Sequence, residues 1–398
     1  MNKLSKLIIF FFSSKWSFKN PKKKDILIYD SYQRLIDDLF CYLDPKKVGK
    51  LYMRGEELNV IILIKSLFSK NFYEFKRNYI VNYINYTNPK IIITATDNDM
   101  VFYTLKEHFK NKIIFITMQN GLRGMYDDFE EFKNYKKKSK YKLSVDYFFS
   151  LNDSISLKYK KYIRAKFIPI GLFRNNLVKK VKVKYKKRIL FISSFSKKIH
   201  EGHFFLNSKK KYADGDLFFK ADIVVLKYLI NFSKKNNFNL RICLRRDGNI
   251  NEQKYLINHL LNYNKNLKFI IPKQKFDVYK EVDRAKYVTC IDSALGYEAY
   301  ARGSKVGFFS IKGNYLGIDS LNFGWPSKLP KANFWTNNEK NFNSLMWYLI
   351  NKNYSYNSYR LKNKSKIIYY DPGNSIFIKI LKKLNIDMDK KIKNKFSI

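Results

Sequence analysis

The sequence predicts an α/β protein made of two doubly wound parallel-sheet domains that face a cleft. Short, continuously apolar runs alternate with longer segments of mixed pattern, as expected for buried parallel strands covered by helices on both faces. This alternation restarts after a basic block at residues 178–187. The chain, at 398 residues, is also long for a single hydrophobic core.

The first half supplies one set of strands and helices. An unbroken apolar run predicts a buried strand within residues 25–31 (DILIYDS), and a second strand is predicted within 50–57 (KLYMRGEE). Further strands are predicted within KIIITATDND, KIIFITMQNG, VDYFFSLND and AKFIPIGLFRNN, and helices within RLIDDLFCYL, NVIILIKSLF, FYEFKRNYIVNYINYTN and MVFYTLKEHFK.

The second half repeats the alternation. Strands are predicted within RILFISSFS, NLRICLRRDG, LKFIIPKQ, YVTCIDS and KVGFFSIKG, and helices within DIVVLKYLINFSKKNN, NEQKYLINHLLNYN, FDVYKEVDRA and GYEAYARG. The predicted domains are residues 1–177, a linker at 178–187, residues 188–341, and a helical segment with a basic tail at 342–398. Tandem domains of this kind place a ligand in the cleft, near the carboxyl ends of the strands.

The formal net charge of +45 admits two explanations. Lysine is spread along the whole chain and accompanies abundant Asn, Ile, Tyr and Phe, which is typical of an AT-rich genome and of a solvated lysine surface. A basic chain is also attracted to anionic partners, either a membrane surface or nucleic acid. The dispersed lysines count against nucleic acid and favour an anionic membrane surface as the partner of the two.

Cysteine and histidine usage predicts neither disulfides nor a metal site. Cys41, Cys243 and Cys290 lie far apart without CxxC spacing, which fits a reducing cytoplasm. The four histidines are dispersed. The apolar run at residues 7–12 is shorter than the ~20 residues that span a membrane and lacks a signal-peptide cleavage site. We therefore expect a cytoplasmic protein that is either soluble or peripheral on the inner membrane face.

Several well-known chemical motifs are missing from the sequence. There is no GxGxxG, Walker A, HExxH or GxSxG pattern. Their absence disfavours dinucleotide oxidoreductases, P-loop kinases, zinc proteases and α/β-hydrolases.

The stretch YVTCIDSALGYEAYARG is the first candidate site. It brings Ser293 to the end of a strand, and Ala294 and Gly296 open the following helix, whose amide groups can receive phosphate oxygens. Glu298 would then face the cleft and accept hydrogen bonds from two ribose hydroxyls. The alternative is an ordinary capped helix, with Ser293 as N-cap and Gly303 at the C-terminal end.

Two candidates follow strands of the first half. Asp97, Asn98 and Asp99 come directly after a buried strand, where a carboxylate can activate an acceptor hydroxyl. Helix capping is the alternative for each of them. Another strand is followed by a glycine-rich loop whose polar residues can line a ligand or simply form a turn: Gln119, Asn120 and Arg123.

The last candidates follow strands of the second half. Ser193 and Ser194 come after its first strand, and Arg245 and Arg246 after another, where a guanidinium can hold phosphate or carboxylate. His200, Glu201 and His203 lie close in sequence, but no further metal ligand accompanies them.

These segments together resemble GT-B-type glycosyltransferases of the bacterial surface-carbohydrate class, which build O-antigen and capsule. The resemblance spans roughly residues 25–337. The segments that carry it are DILIYDS, IIITATDND, ITMQNGLRG, FIPIGLFRNN, RILFISSFS, IDSALGYEAYARGSKVGFFS and FGWPSKLPKANFWTN.

The resemblance implies a Rossmann-like acceptor domain followed by a Rossmann-like donor domain that binds a nucleotide sugar. Ser293, Ala294 and Gly296 would contact the donor phosphates and Glu298 the ribose, while Asp97 would be the catalytic carboxylate. The acceptor would be a glycan, lipid-linked at the inner membrane face. No DxD metal motif of the GT-A kind is present, so we expect metal-independent transfer and no cofactor beyond the nucleotide-sugar co-substrate.

Two other functions remain open. UDP-sugar 2-epimerases share this architecture and the same Ser/Gly…Glu arrangement, and would convert free nucleotide sugar without an acceptor. A basic nucleic-acid-binding protein would instead show steeply salt-dependent binding of DNA or RNA.

Overall fold

A computed structural model shows two parallel sheets with helices between successive strands. The residues it describes are 14–29, 42–53, 56–68, 74–110, 112–122, 129–138, 141–182, 185–202, 205–206, 211–212, 214–245, 249–274, 276–318, 334–351 and 368–386. Residues 34–41 of the predicted helix RLIDDLFCYL and most of the FGWP stretch lie outside these residues.

Eight strands are described in the first half. They are β1 (Lys15–Ser17), β2 (Ile26–Tyr29), β3 (Val48–Leu51), β4 (Glu57–Asn59), β5 (Ile91–Thr94), β6 (Ile114–Met118), β7 (Ser144–Ser150) and β8 (Arg164–Pro169). Six of them form a parallel sheet in the order β3-β2-β5-β6-β7-β8, and β1 pairs with β4 separately. All four residues of β2 and of β5 are buried, which explains their unbroken apolar sequence.

The helices described in the first half are α1 (Val60–Leu67), α2 (Phe75–Thr87), α3 (Met100–Phe109), α4 (Glu130–Lys138), α5 (Asp153–Lys160) and α6 (Phe173–Leu177). Local capping fixes where several of them begin. Asn152, for example, accepts a hydrogen bond from the Ile155 amide at the start of α5.

The strands of the second half are β9 (Tyr185–Ile192), β10 (Phe205–Leu206), β11 (Lys211–Tyr212), β12 (Asn239–Cys243), β13 (Phe269–Ile270), β14 (Ala285–Cys290), β15 (Lys305–Phe309) and β16 (Trp335–Thr336). Six form a parallel sheet in the order β13-β12-β9-β14-β15-β16, and β10 pairs with β11 separately. In chain order this sheet reads 3-2-1-4-5-6, the Rossmann arrangement, and its order reverses between β9 and β14.

The helices of the second half are α7 (Lys197–His200), α8 (Gly215–Lys235), α9 (Asn249–Leu260), α10 (Asp277–Arg284), α11 (Ala294–Ala301), α12 (Lys312–Leu316), α13 (Phe342–Asn351) and α14 (Ser375–Lys383). The two parallel sheets confirm the predicted fold class. Helix α8 begins seven residues earlier than the predicted segment, because Asp214 caps it by accepting from the amides of residues 216 and 217.

The chain crosses between the two sheets twice. Strand β9 begins inside the predicted linker, and Val181 before it donates to Asp283 Oδ2 at 2.8 Å. After α13 the chain returns, and in α14 the Phe377 ring packs against Phe149 and Phe173 of the first half. Helix α14 therefore contributes to the core of the first sheet.

No helix in the described part of the chain is both long and apolar enough to cross a membrane. Cys243 and Cys290 are buried free thiols.

Candidate functional site

A cavity of about 470 Å³ lies at the carboxyl ends of β9, β12 and β14, where the strand order of the second sheet reverses. Such a reversal is where doubly wound sheets bind their ligands. The residues that line it include six predicted from the sequence: Ser193, Ser194, Arg245, Ser293, Ala294 and Glu298.

The turn from β14 into α11 contains both features between which the sequence left a choice. Ser293 caps the helix by accepting from the Leu295 amide at 3.3 Å. At the other end Gly303 has φ of 98° and donates to the Tyr300 carbonyl, while Ser304 donates to the Ala299 carbonyl. This pair of bonds is a Schellman motif, which requires a residue with positive φ. The first residues of the capped helix also line the cavity, so capping does not remove Ser293 and Ala294 from the cavity wall.

Gly296 lies inside α11 and packs against the sheet. A Cβ atom there would come within 2.5 Å of Cys290 Sγ and 2.9 Å of the Phe308 ring. Its amide donates to the Ser293 carbonyl at 3.0 Å. The structure thus gives Gly296 a packing role, and it is not among the residues that line the cavity. Its predicted contact with donor phosphates has no support from this placement.

Glu298 is a buried acid and one of the residues that line the cavity. The residue is only 6% exposed, and among the described residues none hydrogen-bonds to its Oε2 atom. Burial raises its pKa to about 7, although a hydrogen bond from Tyr279 and the nearby guanidinium groups of Arg174 and Arg302 oppose this shift. A buried oxygen without a partner is costly. This one is placed to accept a hydrogen bond from a ligand.

Arg174 belongs to α6 of the first half but lines the cavity of the second sheet. Burial raises the pKa of both Glu298 and Tyr279, and the charge of Arg174 opposes both rises, so Arg174 lies near both side chains. Arg174 is not among the residues predicted from the sequence, although it belongs to the segment FIPIGLFRNN. Its position after the last strand of the first sheet was the available signal.

Ser193 and Ser194 form the loop after β9 and are held by buried acids. Asp222 accepts from the Ser194 amide at 2.9 Å and from the Ser194 hydroxyl at 2.6 Å. Burial raises the pKa of Asp222, while the charge of Lys312 opposes this. Lys312 in turn bonds to Asp292 Oδ2 at 2.7 Å, and Asp292 borders the cavity. This polar network fixes the backbone of the loop at the cavity wall.

Arg245 enters the cavity wall from the end of β12. Its amide donates to Glu252 Oε2 at 2.8 Å, and its Nη1 donates to the Phe195 carbonyl at 3.2 Å. Burial raises the pKa of Glu252 to about 8. Arg246, its predicted companion, lies outside the described residues.

Asp97 is placed in the interior of the first domain. It is 0% exposed, and its Oδ2 accepts from the Tyr159 hydroxyl at 2.6 Å while its carbonyl accepts from Tyr103 at 2.9 Å. A carboxylate enclosed in this way does not meet an acceptor hydroxyl. The geometry therefore speaks against the catalytic role predicted for Asp97 and gives it a structural one.

The other predicted residues of the first domain that the structure describes are not among those that line the cavity. Asp99 caps α3 by accepting from the Val101 amide and also accepts from the Tyr29 hydroxyl at 2.8 Å. Gln119 is buried between the Gly121 carbonyl and the Leu151 amide. Asn98 and Asn120 are exposed, and Arg123 lies outside the described residues.

The described residues contain no group of three or more His, Cys, Asp and Glu side chains placed to hold a metal ion. Within the predicted polar trio, Glu201 pairs with Lys197 at 3.6 Å. His203 lies outside the described residues.

Arg302, which the sequence analysis did not single out, connects the two halves. It is completely buried and forms a two-pronged ion pair with Asp283 at 2.6 and 2.8 Å. Its Nη1 also donates to the carbonyl oxygens of Asn175 in α6 and of Val178 just after that helix. This network holds α11, and therefore Glu298, in a fixed position relative to α6 and Arg174.

A family model described as "putative O-antigen biosynthesis protein" matches residues 115–385, which is more than half of the chain. No curated protein sequence matches.

Three solved structures illustrate the similarity in shape. The "GtfA/B complex" shares 11% identity and a TM-score of 0.42, covering 78% of this chain and 61% of that one. A glycosyltransferase from Rickettsia africae ESF-5 shares 12% identity and a TM-score of 0.46, with 90% of each chain covered. A "putative UDP-N-acetylglucosamine 2-epimerase from Listeria monocytogenes" shares 12% identity and a TM-score of 0.48, covering 92% and 98%. With TM-scores below 0.5, these likenesses carry no argument about activity.

Proposed function

Because the chain belongs to the O-antigen biosynthesis protein family, we propose that it is a glycosyltransferase acting on a surface glycan. The donor is a nucleotide sugar bound in the cavity at the ends of β9, β12 and β14. The acceptor is a glycan, carried on a lipid. In the reaction, the bond between the sugar C1 and the phosphate oxygen breaks and a bond from C1 to an acceptor oxygen forms. The nucleotide leaves, and the acceptor hydroxyl loses its proton.

Glu298 is the observation that carries this proposal. Its buried Oε2 has no hydrogen-bond partner among the described residues, and Glu298 lines a cavity at the reversal point of a Rossmann-type sheet. A carboxylate can accept hydrogen bonds from two neighbouring hydroxyl groups, as a ribose presents them. Nucleotide binding would thus satisfy a polar atom that is otherwise buried without a partner.

The surrounding groups suit the rest of a nucleotide sugar. The amino end of α11 and the Ser293 hydroxyl supply donors for phosphate oxygens. Arg174 and Arg245 add two guanidinium groups on the cavity wall. We name no residue as the base that takes the proton of the acceptor hydroxyl. Asp97, the base predicted from the sequence, is buried and hydrogen-bonded to Tyr159.

The test is release of nucleotide from a panel of UDP-, GDP- and CMP-sugars, with and without a lipid-linked glycan acceptor. We expect acceptor-dependent release that falls at least about tenfold in Glu298→Ala, since a hydrogen bond to a charged group is worth about 1.5–3 kcal/mol. Glu339→Ala, an exposed acid that bonds to Tyr315, is the matched control and should be unchanged. Conversion of free nucleotide sugar without an acceptor would identify an epimerase instead. If the protein catalyses neither of these two reactions with any of the donors, the proposal is refuted.

A further inference from the structure

A second cavity, of about 720 Å³, lies on the first domain where β7 and β8 begin. It is separate from the nucleotide cavity, which lies at the carboxyl ends of strands in the other sheet. Half of the residues that line it are cations, and none of its described lining residues is a carboxylate. We call these five cations the basic surface: Lys136, Lys142, Lys160, Lys161 and Arg164.

The acids Glu74 and Glu107 hydrogen-bond beside this surface, and its five cations outnumber them. Glu74 accepts from the Tyr141 hydroxyl at 2.7 Å and lies 3.6 Å from Arg77. Glu107 accepts from the Lys142 amide at 3.2 Å, which leaves the Lys142 ammonium group uninvolved in that bond.

Charge is also distributed unevenly along helix α4, which borders the basic surface. Its two acids, Glu130 and Glu131, lie in the first turn. Its lysines follow toward the other end, where Lys136 donates to the Lys161 carbonyl at 3.0 Å. The end of α4 therefore adds positive charge to the surface formed by the end of α5 and the start of β8.

An exposed leucine accompanies these cations. Leu157 is 60% exposed on α5, one turn before Lys160 and Lys161, and so lies on the same side of the helix. Tyr141 and Tyr162 line the cavity between the cations. An apolar side chain flanked by lysines, with tyrosines nearby, is typical of surfaces that contact the interface of a bilayer.

We propose that the basic surface docks the first domain onto an anionic phospholipid bilayer. Five cations spread over one surface match a plane of headgroups, whereas a single small anion would need only two or three of them. Each basic residue near an anionic membrane contributes about 1 kcal/mol, and the attraction decays within a Debye length. This inference goes beyond the proposed glycosyltransferase activity and does not depend on it.

The test is co-sedimentation of the full-length protein with phosphatidylcholine vesicles that contain either no phosphatidylglycerol or 30% phosphatidylglycerol, about a third of the lipid. We expect binding only to the anionic vesicles, and weaker binding as salt rises. Lys160→Glu/Lys161→Glu should lower the affinity at least about 30-fold, the equivalent of losing two charges at about 1 kcal/mol each. Leu157→Asp should lower it further, whereas Leu157→Phe should not.

Lys234→Glu/Lys268→Glu is the matched control, because both lysines are exposed and line another lysine-rich cavity, on the second domain. It changes the net charge equally and should lower affinity less than threefold. Equal loss in both double variants, or no preference for anionic vesicles, would overturn the proposal. RNA binding is measured alongside. If Lys160→Glu/Lys161→Glu loses RNA binding but retains vesicle binding, the proposal is also overturned. The shift in melting temperature on adding nucleotide is also measured for this variant. It reports on the nucleotide site, so it distinguishes failure of the membrane-docking proposal from failure of the proposed glycosyltransferase function.

Discussion

Replacing Glu298 with glutamine should stabilise the protein at alkaline pH while weakening its binding of nucleotide. Glutamine keeps the size of the side chain and can still accept the hydrogen bond from Tyr279. It removes the negative charge, which burial makes costly. Since a purely structural acid would lose stability on such a change, the opposite signs of the two effects are diagnostic of a ligand-binding carboxylate.

The magnitude follows from the pKa of Glu298, which burial raises from an ordinary 4.5 to about 7. Between these values the folded protein binds more protons than the unfolded chain, so the free energy of unfolding falls as pH rises from 4.5 to 7. One pKa unit corresponds to about 1.4 kcal/mol, so the charged form costs on the order of 3 kcal/mol above pH 7. Glu298→Gln removes this cost, whereas below pH 4.5 the variant and the wild type should be equally stable.

The assay is urea unfolding of both proteins at several pH values between 4.5 and 8, without ligand, followed by calorimetric titration with nucleotide at pH 8. We expect the variant to be more stable at pH 8 by up to about 3 kcal/mol and to bind nucleotide at least tenfold more weakly. The reasoning would be refuted if the stability of the variant relative to wild type were lower at pH 8 than at pH 5. It would also be refuted if the variant bound nucleotide with the affinity of the wild type.

Three further predictions concern packing and charge. Gly296→Ala should destabilise the protein by about 1–3 kcal/mol in urea unfolding, because the added methyl group has no room. The control Gly121→Ala, with nothing within 4 Å of the added Cβ, should be neutral, and equal effects of the two substitutions would contradict the packing role of Gly296. Arg302→Met should cost about 3–5 kcal/mol, since it leaves Asp283 buried without its partner, and a loss below 1 kcal/mol in the same assay would show that the ion pair is unimportant. Asp97→Asn should lower the melting temperature but keep the nucleotide-release rate within about threefold per folded molecule; a loss of a hundredfold or more, typical of general acid–base groups, would restore its catalytic role.

Most of the fold could be predicted because parallel strands buried on both faces leave an unbroken apolar signature. Strands β2 and β5 are examples, and their bounds lie within the predicted segments. The order of strands within each sheet could not be predicted, since it depends on where crossover helices pack. The return of α14 to the first sheet was also missed, because Phe377 finds its partners more than 200 residues away in the sequence.

The candidate site was predictable where its residues follow strand ends. Ser193, Arg245 and Ser293 do so, and all three line the cavity. Arg174 was missed because its contribution depends on the relative position of two domains. Asp97 also follows a strand, but whether such a side chain faces the cleft or the interior depends on the local backbone, which periodicity does not specify.

Calorimetric titration of the wild-type protein and of Glu298→Ala with UDP, GDP, CMP and their sugar derivatives tests the central claim most directly. The account predicts that one nucleotide series binds the wild type at a single site and that Glu298→Ala binds that series at least tenfold more weakly. Absence of binding by every nucleotide, or equal affinity of the two proteins, would contradict the assignment of the cavity at the ends of β9, β12 and β14 as the donor site.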